Sequence, residues 1–162
     1  MGPIYCEAST ILTGLETLVL LVCAYLWLQR FYARWLTLLI FMGFIIFETL
    51  EMMFGALLFG SGMFFAGAAP AIIILGAWLI ARTYQESLRA AAFGGGAILL
   101  ALIALAFRSI DLSLCSALPI GTHFLWHIFL SLAALLAIIT LIIIDSARLT
   151  AARSKLRMDV HA

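Results

Sequence analysis

Two histidines stand four residues apart in the segment "LPIGTHFLWHIF" at positions 118–129, where a long apolar run begins. In a helix, residues at i and i+4 lie on the same face, so His123 and His127 would direct their imidazoles toward one place. Helical zinc sites use this spacing because imidazole nitrogens are good zinc ligands. The pair therefore predicts a metal site.

Three acidic residues lie at a comparable depth in other apolar segments. Glu16 belongs to the first of these segments, and Glu48 and Glu51 belong to the second, in "FETLEMMFG". Ionisable side chains are costly inside a membrane and commonly mark functional sites in the interior of a helix bundle. Counted from the outer helix ends, His127 would lie about 9 Å deep, Glu51 about 11 Å and Glu48 about 15 Å. We therefore expect these residues and His123 to share one pocket.

A glutamate from the second segment would complete a ligand set of two histidines and one carboxylate, with one position left for water. We predict His123, His127 and Glu48 as zinc ligands. Bound zinc lowers the pKa of its water to about 7, which makes hydroxide available at neutral pH. Glu51 would then act as the general base or as the hydrogen-bond partner of a ligand histidine.

Other interpretations of these residues remain open at this point. Histidine and tryptophan commonly anchor helices at the headgroups, and Trp126 is more typical of that role than of catalysis. Glu48 and Glu51 could instead be protonated and hydrogen-bonded between helices, or form a proton relay. An ion pathway would need polar residues through the inner leaflet, and the sequence between Glu48 and the arginines beyond it offers almost none.

The composition indicates an integral membrane protein. The 162 residues are 66% apolar and 10% charged, whereas soluble domains are about 45–50% apolar and about 25% charged. This length predicts a single domain over residues 1–162. A net charge of +1 gives no electrostatic reason to bind nucleic acid. No basic segment precedes the first apolar run, which favours a retained helix over a cleaved signal peptide.

Five apolar segments are long enough to cross a bilayer, which takes about 20 helical residues. They cover residues 10–29, 35–59, 63–82, 90–107 and 121–144. Strand-like alternation is absent, so we predict an all-α protein with five transmembrane helices. The run "FGGGA" at 93–97 predicts a close approach between helices, because glycine lets neighbouring backbones and side chains come near.

Basic residues predict the orientation of the five segments. They lie after the first segment, around the third connection and in the tail: Arg30, Arg34, Arg82, Arg89, Arg148, Arg153, Lys155 and Arg157. Basic residues concentrate in cytoplasmic loops, so the short N-terminal arm (1–9) is predicted outside and the tail (145–162) in the cytoplasm. The histidine pair would then lie toward the external side.

Two cysteines would also lie on the external side in this orientation. Cys6 and Cys115 would face an oxidising compartment, where disulfides persist. They could form a bridge between the N-terminal arm and the loop before the last helix, or remain two unpaired small apolar residues.

The motifs around these residues resemble a known family. "FRSIDLSLCSALPIGTHFLWHIF" resembles the last loop and last helix of bacterial alkaline-ceramidase-like proteins, within the CREST group of membrane hydrolases. "YCE" at 5–7 followed by Glu16 resembles the family's N-terminal arm, and "GAAPAIIILGAWLIAR" resembles one of its later helices.

The resemblance implies a site and an activity. In that family the two histidines of the last helix bind zinc together with a third histidine from the second helix. Acidic residues of the arm contribute to a calcium site, which here points to Glu7 and Glu16; these two residues would hold a calcium ion or brace the N-terminal arm. A disulfide joins the arm to the last external loop, which here would be Cys6–Cys115. The implied reaction is hydrolysis of the amide of a ceramide-like membrane lipid, on the periplasmic side of a bacterial inner membrane.

The sequence also departs from the family pattern. Family members typically have seven spans, and this chain offers five. In "GFIIFET", Phe44 stands where the family has a serine, and Glu48 stands where it has the third histidine. An aspartate expected further on has no counterpart near Phe59. Loss of one oxyanion donor typically costs about 10²–10³ in rate. Two interpretations follow: an altered zinc-dependent hydrolase that uses Glu48, or a catalytically degenerate accessory or assembly subunit of a larger membrane complex.

Overall fold

Five helices make up the part of the chain described by the computed structural model, which covers residues 10–59, 64–114 and 122–161. The helices are α1 (Thr10–Gln29), α2 (Arg34–Phe59), α3 (Phe64–Glu86), α4 (Leu88–Leu114) and α5 (His123–His161). These three ranges contain no strand. The prediction of an all-α fold is confirmed for them.

Polar residues stand at the starts of α4 and α5 and bond the first backbone amides of these helices. Only Ser87 stands between α3 and α4, and its hydroxyl accepts a hydrogen bond from the amide of Ala90 at 3.2 Å. This is the N-cap arrangement, which satisfies an amide at the helix start. At the start of α5, the carbonyl of Thr122 accepts hydrogen bonds from the amides of Leu125 and Trp126.

α4 and α5 continue well beyond the C-terminal ends of the apolar segments that predicted them. α4 continues to Leu114, over residues predicted to begin a loop at position 108, and α5 continues to His161, through the predicted tail. Hydropathy detects only the apolar part of a helix. The tail is rich in Ala, Arg, Lys and Leu, which have high helix propensity, so the backbone remains helical where the apolar stretch ends.

α4 runs antiparallel to α5. Near the start of α4, a Cβ on Gly94 would lie 2.7 Å from Cζ2 of Trp27 and 3.5 Å from Cγ2 of Thr140. Further along α4, Ala104 packs in a buried cluster with Trp126. The chain therefore advances along α4 while it goes backward along α5. The close approach at Gly94 confirms the prediction made from "FGGGA".

α3 runs antiparallel to α4, since Gly76 lies against Ile98 and Gly95 lies near Ile80, and the C-terminal end of α3 lies beside that of α1. The indole Nε1 of Trp27 donates to Oγ1 of Thr83 at 2.9 Å, and this hydroxyl donates to the carbonyl of Leu79 at 2.7 Å. Both side chains are buried. Around them lies the largest buried cluster, which consists of Trp27, Leu28, Leu79, Ala90, Leu141 and Ile144.

The described residues include two helices that are long and apolar enough to cross a membrane. These are Leu88–Ile110 within α4 and Phe124–Asp159 within α5. Large apolar side chains are also exposed on all five helices, among them Leu15, Leu38, Ile74, Leu99 and Ile142. An apolar surface of this extent is typical of contact with lipid or with another protein.

Candidate functional site

α1 and α5 bring one acidic residue and one histidine into direct contact. Nδ1 of His127 lies 2.6 Å from Oε2 of Glu16, although the two residues are 111 positions apart in the chain. The side chains are only 14% (Glu16) and 16% (His127) exposed. Of the five residues expected to share one pocket, Glu16 and His127 are therefore in direct contact.

Ser131 completes the arrangement from the next turn of α5. Its hydroxyl donates a hydrogen bond to Oε1 of Glu16 at 3.2 Å. Since Ser131 follows His127 by four residues, both side chains lie on the same face of the helix. Each oxygen of Glu16 thus has its own partner. We call Glu16, His127 and Ser131 the histidine cluster.

The contact with Glu16 determines which nitrogen of His127 carries the hydrogen when Glu16 is ionised. An ionised carboxylate only accepts hydrogen bonds, so Nδ1 of His127 must carry the hydrogen when Glu16 is ionised. In the neutral ring, Nε2 is then the nitrogen with a lone pair. Metal-binding histidines are commonly held in this way, by a carboxylate on the nitrogen that does not bind the metal.

Trp126 braces the histidine cluster from inside the protein. It is buried with Ala104 and Leu130, and its ring meets that of His127 edge-on, with centroids 6.5 Å apart. The ring packs between helices, which does not favour the headgroup anchoring considered for Trp126. No residue in the described part of the chain bonds its Nε1.

The remaining predicted ligands fall partly or wholly outside what the structure describes. His123 is the first residue of α5, one turn before His127, and Glu48 and Glu51 lie in α2. The side chains of these three residues are not among those described. Among the described side chains, no group of three or more His, Cys, Asp or Glu residues is placed to hold a metal.

Three further predicted residues lie outside the described ranges altogether. These are Cys6 and Cys115, the proposed disulfide, and Glu7, the proposed partner of Glu16 in a second metal site. Their predictions therefore stand as made from the sequence. The third cysteine, Cys23, is buried in a small cluster with Ala97 and Ala137.

A second polar group, which the sequence did not predict, joins α1, α3 and α5 at the opposite end of α1. Arg30 donates two hydrogen bonds to Asp145, both of 2.8 Å. Arg148 donates two to Glu86, of 2.9 and 2.6 Å, and a third to the carbonyl of Arg30 at 2.7 Å. We call Arg30, Glu86, Asp145 and Arg148 the ionic network.

The ionic network shifts the pKa of two members: it raises that of Arg148, chiefly through the hydrogen bonds to Glu86, and lowers that of Asp145. Asp145 follows the apolar stretch that ends at Ile144, and hydrogen bonds from Arg30 hold the pKa of its carboxyl below the usual range. The positive charges of Arg30 and Arg148 act in the same direction, and partial burial opposes them.

Contacts at both ends also show that α1 and α5 run parallel, since Glu16 meets His127 and Arg30 meets Asp145.

Comparison with protein-family models, with curated proteins and with solved structures finds no match to this chain.

Proposed function

We propose that the chain is a five-span membrane protein related to the ceramidase-like hydrolases, which binds zinc near its external side and hydrolyses the amide bond of a ceramide-like lipid. The observation that carries this proposal is the contact between Glu16 and His127. A largely buried carboxylate on one imidazole nitrogen is an arrangement that commonly orients the other nitrogen toward a metal.

The alternating helix directions support the five-span arrangement. α1, α3 and α5 run one way and α4 runs the other, as expected when each connection reverses the chain across a bilayer. An odd number of crossings places the two termini on opposite sides. The ionic network and the basic residues of the tail lie at one end of the bundle, and the histidine cluster lies toward the other. The excess of basic residues favours the cytoplasm for the first end.

The donor set fits zinc in chemical type. His123 precedes His127 by one helical turn, and two imidazoles with one carboxylate are a common zinc set. We propose His123, His127 and Glu48 as the residues that would hold the ion. Zinc in such a set supplies a water molecule with a pKa of about 7.

The other residues of the site position these ligands. Glu16 accepts a hydrogen bond from Nδ1–H of His127, and this fixes both the tautomer and the ring orientation. Ser131 holds the second oxygen of Glu16. Because both oxygens are engaged, we assign Glu16 to positioning His127 in preference to a calcium site shared with Glu7. Glu51 remains the proposed general base, which would take the proton of the attacking water.

Elemental analysis of the full chain, purified in mild detergent, tests the proposal directly. We expect close to one zinc ion per chain and release of fatty acid from a ceramide. His127→Ala should lose both, while His161→Ala, which removes the third histidine of the sequence, should lose neither. Zinc-free protein that retains its fold and shows no lipid turnover would refute the proposal.

A second candidate function is that of an accessory subunit without catalysis of its own. The exposed leucines on the part of α5 that follows Asp145 favour it, because this surface suits a protein partner. In that case the zinc-free protein should purify with a partner in a fixed ratio.

A further inference from the structure

Two kinds of arginine lie at the end of the bundle where α1 and α3 finish and α2 begins. Those of the ionic network have their charges balanced by its two carboxylates. Arg34 and Arg82 differ from them, because both are exposed and no carboxylate in the described part of the chain is paired with either one. Their positive charges can therefore attract an anion from outside the chain.

Two aromatic rings position the guanidinium of Arg82. Its Cζ lies over the ring of Trp78, 5.4 Å from the centroid. The ring of Tyr32, from the connection between α1 and α2, stacks on Trp78 with centroids 4.7 Å apart. A guanidinium over an aromatic ring is attracted to it and retains N–H donors that match pairs of phosphate oxygens. Arg34 begins α2, two residues after Tyr32. We call Tyr32, Arg34, Trp78 and Arg82 the arginine site.

The arginine site lies where the apolar stretch of the bundle ends. Arg82 precedes Glu86 by one helical turn, and Glu86 accepts two hydrogen bonds from Arg148. Arg148 in turn follows Ile144, the last residue of the apolar stretch of α5, by one turn. Because α3 and α5 run in the same direction, Arg82 lies close to the level of Ile144. In a bilayer crossed by α5, this is the boundary between hydrocarbon and headgroups.

The surroundings of the arginine site favour a lipid over a soluble anion or an acidic protein. Trp35 and Tyr84, at the same end of the bundle, are 65% and 62% exposed, and such rings concentrate at the level of the headgroups. Farther into the apolar region, Leu39 on α2 and Ile74 on α3 are also exposed. Positive charge, interfacial rings and an apolar surface therefore follow one another in the order of headgroup and acyl chain.

We propose that the arginine site binds the phosphate of an anionic phospholipid, whose acyl chains lie against α2 and α3. Arg82 donates hydrogen bonds to the phosphate oxygens, and the charge of Arg34 adds to the attraction. Membrane insertion is the only part of the proposed function on which this rests; zinc binding and hydrolysis are separate. A lipid bound there would stabilise the contact between the α1–α2 connection and α3.

Lipid binding by the full chain tests the proposal. The protein is purified in mild detergent, stripped of lipid, and titrated with phosphatidylglycerol or with phosphatidylcholine of the same acyl chains, while native mass spectrometry counts the bound lipids. One phosphatidylglycerol should bind about fivefold more tightly than phosphatidylcholine, or better. Arg82→Gln should bind phosphatidylglycerol about five- to tenfold more weakly, and Arg34→Gln should show a smaller loss. Arg82→Lys should lie between Arg82→Gln and the wild-type protein, because lysine keeps the charge but lacks the planar group.

Arg153→Gln provides a matched control, because it removes the same charge at an exposed position outside the arginine site. Arg153 belongs to residues 145–161, which we call the α5 extension, and lies about 14 Å beyond Ile144 along the helix axis. The headgroup layer adds only about 5–8 Å on each side of the hydrocarbon core. This variant should therefore bind phosphatidylglycerol as the wild-type protein does.

Three results would overturn the proposal. Equal binding of the two lipids would exclude recognition of the headgroup charge. An equal loss in Arg82→Gln and Arg153→Gln would assign the preference to overall charge. Displacement of phosphatidylglycerol by an equal concentration of inorganic phosphate would assign the site to a soluble anion.

Zinc content and ceramide turnover distinguish a failure here from a failure of the proposed function. Both should be the same in Arg82→Gln as in the wild-type protein. Loss of lipid preference with zinc retained would remove only the arginine site, and zinc-free protein that still selects phosphatidylglycerol would remove only the hydrolase.

Discussion

The histidine cluster and the ionic network connect the same two helices, α1 and α5, but they do so with different chemistry. The ionic network pairs two arginines with two carboxylates, through hydrogen bonds that are bidentate and at least partly exposed. In the histidine cluster, Glu16 has His127 and Ser131 as partners, and neither carries a permanent positive charge. The histidine cluster is also more deeply buried.

This difference indicates different roles. Charge balance in the ionic network is complete within the protein, so the network suits the joining of helices at a solvated end. In the histidine cluster, a poorly solvated carboxylate meets a group whose charge depends on a proton or a metal ion. A proton or a metal ion bound at His127 would best stabilise such a carboxylate. The comparison therefore indicates a structural role for the ionic network and supports the proposed metal-binding role of the histidine cluster.

The largest effect should come from Glu16→Gln. This variant keeps the size of the side chain but weakens the hydrogen bond that orients His127, so zinc affinity should fall by about 10–100-fold. Competition with a chromophoric chelator measures it. Asp145→Asn, the corresponding change in the ionic network, should leave zinc affinity unaltered. Equal losses in the two variants would remove the distinction between the two ends.

A second test changes packing beneath the ionic network without changing charge. A Cβ on Gly94 would meet the indole of Trp27 at Cη2 and Cζ2, so Gly94→Ala should destabilise the protein by about 1–3 kcal/mol. At Gly43 a Cβ would have no atom within 4 Å. Gly43→Ala should therefore be neutral or stabilise the helix by about 0.5–1 kcal/mol. Thermal unfolding in detergent compares the two variants, and similar melting temperatures would contradict the close packing at Trp27.

A smaller effect is expected from Arg30→Gln, which removes both hydrogen bonds to Asp145. Because that carboxylate is 47% exposed, the loss should be about 1 kcal/mol or less. It should shrink further in high salt, which screens exposed charges. Arg153→Gln on the α5 extension serves as the control and should leave the melting temperature unchanged at any salt concentration.

The smallest effect should be the change in stability at acid pH. Since the pKa of Asp145 is lowered in the folded protein, its contribution to stability is present above the unfolded-state value of about 4 and is lost as the pH falls through the folded-state value. The difference in melting temperature between the wild-type protein and Arg30→Gln should therefore narrow below about pH 4. A difference that widens with acid would contradict the assigned direction.

Much of the fold could be predicted from the sequence, because apolar length dictates where helices form. The bounds of α1 agree with the predicted segment 10–29, and α2 and α3 begin within a residue of their predicted starts. The ends of α4 and α5 were missed because helix propensity continues where hydropathy stops. The depth of Glu16 and His127 also predicted their proximity, since depth depends only on position along each helix.

The pairing within the two polar groups could not be predicted. The partners of Arg30 and Arg148 depend on how each helix is rotated about its axis and which neighbour it meets. Arginines that follow an apolar segment indicate its orientation. Nothing in the sequence indicates that Asp145 and Glu86 accept hydrogen bonds from these arginines. The hydrogen bond from Ser131 to Glu16 could not be predicted either, because the hydroxyl of a single serine in an apolar run usually bonds a carbonyl of its own helix.

The 111-residue separation between Glu16 and His127 has a consequence for biosynthesis. α1 leaves the ribosome before α5, so in the proposed five-span arrangement its carboxylate would acquire its partner only after α5 has been inserted. Until then Glu16 would have to remain near water or be held by the insertion machinery, because an unpaired carboxylate in lipid is strongly disfavoured. The site is therefore completed late, and a chain that terminates before α5 cannot acquire it.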